Sequence, residues 1–226
     1  MNVIALIPAY NEAERIAMTV VAARQVQGVA RVLVVDDGST DDTAALARGA
    51  GAEVLSLPGN TGKGGALQAG LDSVRAEADV MLLLDGDLAE TAGLAHALLG
   101  PVLADEADMT IAVLPRPAGS GGFGLVKGLA RRGIRLMGDG FESRAPLSGQ
   151  RALNRRAFEA AEPFASGYGA EVALTVRVLR AGLRVAEVPV AMTHAATGKD
   201  LAGFAHRGRQ FAHVLATLAK LFLERR

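Results

Sequence analysis

The first hundred residues alternate between short apolar runs and longer amphipathic stretches. The runs "VIALIPA", "RVLVVDD", "EVLSLPG" and "DVMLLLD" begin at positions 3, 31, 53 and 79 and have the length of strands. Between them, residues 12–25, 41–50 and 64–75 read as helices. Strands that stay apolar on both faces, separated by helices of that length, predict a parallel sheet covered on both sides. Right-handed crossovers then carry the C-terminal ends of these strands to one edge, where such sheets bind ligands. Three polar strand tips meet there: Tyr10, Asn11 and Glu12; Asp36, Asp37 and Gly38; Asp85, Gly86 and Asp87.

The second half is less regular. "MTIAVLP" (109–115) reads as a strand, followed by the Gly-rich loop "RPAGSGGFG" and the basic amphipathic stretch "LVKGLARRGIRLMG". "APLSGQRALNRRAFEAA" reads as strand, turn and helix, residues 171–181 as a helix, and "RVAEVPVAMTH" as a strand. From Gly203 onward, Phe204, Phe211, Val214, Leu215, Leu218, Leu221 and Phe222 recur at helical spacing. With no repeat, low-complexity tract or clear linker, the expectation is one α/β domain over 1–226. Its mostly parallel sheet would be flanked by helices, with a nucleotide half (1–100) and an acceptor half (101–226).

Composition narrows the class. A chain of 226 residues, 50% hydrophobic, buries a substantial core. The absence of cysteine excludes disulfides and thiolate metal sites and suits a reducing compartment. The opening "MNVIALIPAYNE" lacks a basic flank and is interrupted by Pro8, so it reads as a first strand and not a signal peptide. No apolar run reaches the length of a membrane span. The expected location is cytoplasmic, with peripheral contact at the inner membrane face. Overall neutrality hides an asymmetry: residues 1–115 carry sixteen acids against six Lys/Arg, whereas residues 116–156 carry nine Lys/Arg against two acids. Two halves handling different ligands would produce that division, although charges scattered over wet faces would also satisfy it.

The strand tips carry the chemistry. Asp85 and Asp87 flank a glycine at the end of a strongly apolar run, where carboxylates are costly to bury unless paired or metal-bound. Two hard oxygen ligands suit Mg²⁺ or Mn²⁺ that keeps waters and takes phosphate oxygens, while a plain Asp-rich turn is the simpler alternative. "GNTGKGGALQAG" (59–70) fits neither a Walker A loop nor the dinucleotide fingerprint. It remains a Gly-rich turn opening a helix, with Lys63 at its mouth, suited to an anion such as a diphosphate. In "VLVVDDGSTDDTAALA", Asp41 and Asp42 suit a helix start. Asp36 and Asp37 lie nearer the strand tip, where a carboxylate can accept from a nucleobase.

Taken together, "IPAYNEAERI", "VLVVDDGSTDDT", "NTGKGGALQAG" and "LLLDGD" stand in the order and spacing of the family 2 glycosyltransferases. The chain therefore resembles nucleotide-sugar enzymes of the GT-A (Rossmann-like) fold over its first ninety residues. The resemblance implies nucleotide contacts for Pro8, Ala9, Tyr10, Glu12 and Asp37, beside the anion-suited helix mouth that carries Lys63. It also implies Mg²⁺ or Mn²⁺ on Asp87, with Asp85 a metal or ribose partner. "PLSGQRAL", "PFASGYGAEVAL" and "AEVPVAMTHAATGKD" look more loosely like two subgroups, the polyprenyl-phosphate sugar transferases and the glucosyl- and mannosyl-3-phosphoglycerate synthases. The second subgroup points to His194 as a third metal ligand. The basic residue that relatives often carry just after it is Ala195 here, and Lys199 is the substitute.

Glu171 lies where these enzymes have an acid near the donor sugar, as a base toward a hydroxyl acceptor or a sugar ligand; a helix-surface glutamate is the plain alternative. Arg144, Ser148, Gly149, Gln150 and Arg151 are the expected acceptor-side residues. The implied reaction moves a hexose from a UDP- or GDP-sugar to an anionic acceptor, with a slight edge to a lipid phosphate from "EVPVAMTHAATGKD" and from the basic stretch 125–137, which suits an anionic membrane surface or equally an ordinary surface helix with its Arg on the wet side. Catalysis would come from metal and electrostatic stabilisation of the leaving diphosphate, with Asp87 central to it. Transfer to a small phosphorylated acceptor is the alternative, and a homodimer is allowed for. Sugar-1-phosphate nucleotidyl transfer lacks its arginine-bearing loop here. A silent nucleotide binder would have less reason to keep Asp85, Asp87, Glu171 and His194 together. Nucleic acid is not an expected partner, since the basic stretch lacks interleaved aromatics and net charge is zero.

Overall fold

The computed structural model describes residues 1–115, 124–165, 167–193 and 201–224, with the backbone alone for Tyr168 and residues 201–210. The Gly-rich loop, His194 and Lys199 lie outside the described residues.

The predicted alternation is present. Strands β1 (Val3–Ala9), β2 (Val29–Asp36), β3 (Glu53–Ser56) and β4 (Val80–Leu83) alternate with α1 (Ile16–Arg24), α2 (Thr43–Gly49) and α3 (Gly62–Val74). These strands pair in parallel, β1 at the centre between β2 and β4. Alternate side chains of β1 serve opposite faces. Val3, Ala5 and Ile7 pack toward α1, while Ile4 and Leu6 pack toward α3. All five are buried, each large one contributing about 1.5–3 kcal/mol.

Residues 12–15 form a turn instead of the first helical turn, because Asn11 sits at φ +55° and redirects the chain. The pattern gave no helix for 88–104. The structure has a 3-10 turn (Ala89–Ala95) followed by α4 (His96–Leu103). Gly93 and Pro101 interrupt the helical pattern, yet Leu98, Leu99 and Val102 still bury against the sheet.

The second half joins the same sheet. It contains β5 (Met109–Val113), α5 (Gly124–Met137), β6 (Arg151–Asn154), α6 (Arg155–Ala161), a 3-10 turn (Gly167–Gly169), α7 (Ala170–Arg180), β7 (Val185–Pro189) and α8 (Leu201–Leu223). The strand order is β3-β2-β1-β4-β6-β5-β7, with β6 antiparallel to both neighbours and β5 parallel to β7. The beginning of β6 therefore shares a rim with the ends of β1, β2 and β4. A third apolar cluster joins α5, α7 and α8 outside the sheet layers.

Asp108 ties β5, β6 and β7 together at the opposite end. Its buried carboxylate accepts from Asn154 Nδ2 (2.8 Å), Arg156 Nη2 (2.6 Å), and the Arg184 backbone N–H (2.8 Å) and Nε (3.1 Å). Burial alone would raise this carboxyl, but the hydrogen bonds from Arg184 and Asn154 and the Arg156 charge outweigh it and lower it from 3.8 to about 2. A folded-state value below the unfolded one means stability that is full above about pH 4 and is lost as pH falls toward about 2. The expected loss over that window is about 2 kcal/mol. Urea unfolding at successive pH values measures it, and Asp108→Asn should flatten that part of the profile.

Candidate active site

The first two loops of the rim are stitched by polar side chains. Asn11 N–H donates to Ser39 Oγ (3.0 Å), Glu12 N–H to Thr43 Oγ1 (2.8 Å), and Thr40 N–H to Asn11 Oδ1 (2.9 Å). Asp41 accepts from the Ala13 and Thr43 N–H groups, so it holds the start of α2 and the first loop at once. The Thr43 hydrogen bonds hold the Asp41 carboxyl below its ordinary value. Asp42 stands at the N-cap position without a side-chain capping bond.

Asp36 and Asp37 are both buried. Asp36 accepts from Ser39 N–H at 3.1 Å, closing its own turn. One Asp37 oxygen accepts from Thr61 N–H and Thr61 Oγ1, both at 2.7 Å, and the other from Gly62 N–H at 2.8 Å. Here Asp37 fixes the Gly-rich third loop at the mouth of α3, with both oxygens engaged by the protein. Gly38 permits this closeness: φ is +76°, and a Cβ would lie 2.8 Å from the Gly59 backbone. Tyr10 stands 45% exposed on the same rim, beside half-buried Pro8 and buried Ala9.

The centre of the site is a chain of charges. Lys63 Nζ lies 2.5 Å from Asp85 Oδ1 and 3.1 Å from Glu171 Oε1. Gln150 Nε2 donates to the other Asp85 oxygen at 2.7 Å. Burial alone would lower the Lys63 pKa, but the Asp85 and Glu171 carboxylates raise it above the ordinary lysine value. Next to this pair, desolvation raises the Glu12 carboxyl to about 7, reinforced by the charges of Asp87, Asp85 and Asp41. Three loops and the first turn of α7 thus converge on one rim.

Among the described residues, no group of three His or acidic side chains is arranged to hold a metal by itself. The donor chemistry nevertheless fits a hard divalent ion. The negative charge that Asp85 and Asp87 impose on Glu12 is what such an ion neutralises. Asp87 and Asp85 would hold it and leave further positions for phosphate oxygens and water.

The acceptor-side residues divide in two. Gln150 and Arg151, expected on the acceptor side, are buried, Gln150 against Asp85 and Arg151 within the sheet. The reason is topological: as β6 starts antiparallel to β4, Arg151 sits opposite Leu83 inside the sheet. Arg151 Nε holds the Ser148 carbonyl (2.9 Å), and its Nη1 holds Thr175 Oγ1 (2.8 Å) on α7. Arg144 remains exposed and Ser148 half-exposed, its Oγ donating to Gln150 Oε1 at 3.3 Å. Gly149 lets the loop approach closely: a Cβ there would meet Lys63 Nζ and lie 2.9 Å from both Asp85 oxygens, so those side-chain ends would have to shift.

Sequence reading missed Glu187. From β7 it accepts from Ser143 Oγ (2.7 Å) and from the N–H groups of Arg144 (2.8 Å) and Ala145 (3.0 Å). Those hydrogen bonds overcome desolvation and hold its carboxyl low. The signal available was a lone acid inside the apolar run "RVAEVPVAM". Thr61 and Thr43, which anchor the loops through hydroxyls, carried no comparable signal.

A parallel-stranded rim with a Gly-rich loop, a lysine and an acidic strand tip defines an α/β nucleotide-binding protein. The profile of "Glycosyl transferase family 2" matches residues 4–159. The chain belongs to glycosyl transferase family 2, a family of nucleotide-sugar-dependent enzymes. It is 34% identical to glycosyltransferase AglJ of Haloferax volcanii, over 86% of this chain and 64% of that protein, so it spans less than two thirds of that relative. It is 30% identical to an undecaprenyl-phosphate mannosyltransferase of Micrococcus luteus, covering 88% of this chain and 87% of that protein. Among solved structures it resembles glucosyl-3-phosphoglycerate synthase from Mycobacterium tuberculosis in complex with Mn²⁺, UDP-glucose and phosphoglyceric acid. The TM-score is 0.79 at 28% identity, covering 97% of this chain and 79% of that one.

Two substitutions test the geometry. Gly149→Ala should displace Lys63 from Asp85 and weaken nucleoside-diphosphate binding by about tenfold, read by calorimetry, with the unfolding midpoint little changed. Glu187→Ala strips the acceptor from the Arg144 and Ala145 amides. Hydrogen exchange at both should accelerate, and the KM for the acceptor should rise while donor binding stays constant.

Proposed function

We propose that the chain transfers a hexose from a UDP- or GDP-sugar to an anionic, phosphate-bearing acceptor, with a lipid phosphate the favoured acceptor. The observation that carries this reading is the meeting of Lys63, Asp85, Gln150 and Glu171 at one point, where the nucleotide loops reach the acceptor loop. The nucleotide would lie along the first two loops, with Tyr10, Asp37 and Glu12 bordering it. Lys63 and the mouth of α3 would face the diphosphate. A Mg²⁺ or Mn²⁺ ion held by Asp87 and Asp85, with His194 as third ligand, would stabilise the charge that develops on the leaving diphosphate. Arg144, Ser148 and Lys199 would meet the acceptor's phosphate.

The family relationship to an undecaprenyl-phosphate mannosyltransferase supports the lipid acceptor. The likeness to a synthase solved with UDP-glucose and phosphoglyceric acid supports a second reading, a small phosphorylated acceptor. Chemistry separates them. A phosphate oxygen is already ionised and needs no base, whereas a hydroxyl acceptor does, and Glu171 is the carboxylate in place.

Calorimetry with UDP and GDP, each with Mn²⁺ and with EDTA, tests the donor site. One nucleotide should bind tightly with metal, and Asp87→Ala should abolish the metal dependence while leaving the fold intact. Binding of neither nucleotide by folded protein would refute the donor reading. For the acceptor, labelled-donor assays with polyprenyl phosphate and 3-phosphoglycerate should show transfer to the lipid. There Glu171→Gln should lower kcat by less than the factor of about 10²–10⁴ that a general base supplies.

A further inference from the structure

We propose that α5 and α8 together form a docking surface for an anionic lipid bilayer, which sets the acceptor loop at the membrane surface. The inference deepens the lipid-phosphate reading and rests on it. On α5, Val126, Ala130, Gly133, Ile134 and Met137 are buried, while Leu125 and Leu136 are 82% and 74% exposed. Those two leucines are eleven residues apart, three helical turns, so they share one face. On α8, Val214, Leu218 and Leu221 are buried, while Phe211 (39%), Leu215 (49%) and Phe222 (57%) are exposed along a single stripe.

The two stripes border one seam. A Cβ at Gly133 would run into Leu218, which places α5 directly against α8. On α8, the approaches to the 167–169 turn and to α7 are made by His213, Thr217 and Glu224. The exposed phenylalanines lie on the other side of Leu218 in the helical projection, toward α5. On α5, Leu125 and Leu136 project to the side of Gly133 away from the buried residues. The result is a joint apolar strip along the seam.

Charge selects the partner. α5 contains Lys127, Arg131, Arg132 and Arg135 and no acidic residue. A symmetric pairing of two copies through this face would oppose like charges. An anionic bilayer attracts the same cations while burying the leucine and phenylalanine stripe. The helix also connects to the site: Arg131 Nε donates to the Ser143 carbonyl at 2.9 Å, at the start of the loop bearing Arg144 and Ser148.

The test is co-sedimentation of the full chain with vesicles of phosphatidylcholine, and of an equimolar phosphatidylcholine–phosphatidylglycerol mixture. Binding is expected to the anionic vesicles only, and to weaken with salt. Arg132→Glu with Arg135→Glu should reduce that binding by about tenfold or more, and Leu136→Asp with Phe222→Asp should abolish it. All four positions are exposed and outside the donor site, so the variants should keep their melting midpoint and Mn²⁺-dependent nucleotide binding. No vesicle binding, or binding indifferent to both pairs of changes, overturns the proposal. So does a dimer in sedimentation equilibrium that Leu136→Asp with Phe222→Asp dissociates, since the strip then serves a second copy. Vesicle binding without nucleotide binding would instead defeat the donor reading alone.

Discussion

The antiparallel register that sets Arg151 of β6 opposite Leu83 of β4 is the constraint on which the site depends. It carries Gly149 and Gln150 to Asp85, one residue beyond the Leu84 that follows β4. Arg151 itself is driven into the core, where its guanidinium links the Ser148 carbonyl to Thr175 of α7. Thr175 Oγ1 donates in turn to the Glu171 carbonyl at 2.8 Å. Burial lowers the Arg151 pKa to about 10 against the opposing charges of Glu171 and Glu187, and its Nη2 is buried without a hydrogen-bond partner. Removing such a buried cation would leave those carboxylates with less compensation, at a cost of several kcal/mol. The loop before β6 and the first turn of α7 are therefore parts of one polar network.

The charge asymmetry has a local expression at that network. The first half contributes Asp85, Asp87 and Glu12; burial, reinforced by the charges of Asp87 and Asp85, lifts the Glu12 carboxyl to about 7. Its own Lys63 answers Asp85 and reaches across to Glu171. The second half contributes buried Arg151 beneath and exposed Arg144 above, with Glu187 gathering the loop's amides. A divalent ion with a diphosphate adds charge of both signs to this arrangement, which suits a site already balanced between carboxylates and cations.

Strand, loop and motif positions in the first half were legible because each rests on local physics. Apolar runs of strand length must be buried, Gly-rich turns must relieve strain, and carboxylates at strand tips must find partners. The partners themselves were not legible. Asp37 was legible as a strand-tip acid, but not its engagement of Thr61 and Gly62, twenty-four and twenty-five residues away. Gln150 and Arg151 were expected on the acceptor side, and the burial they take from the direction of β6 is something no periodicity encodes. Residues 89–103 do not read as helical because a glycine and a proline break their pattern, while sheet packing overrides that weak propensity.

The sequence by itself determined the alternating architecture, the rim where the polar strand tips gather, and the family, because apolar periodicity and four linked motifs are properties of neighbouring residues. Only the tertiary structure decided which side chains meet: Lys63 with Asp85 and Glu171, Glu187 with Ser143 and the amides of Arg144 and Ala145, and Leu218 of α8 with Gly133 of α5. Those contacts join residues far apart in the chain. Their energies depend on burial and on strand direction, which exist only once the sheet has closed.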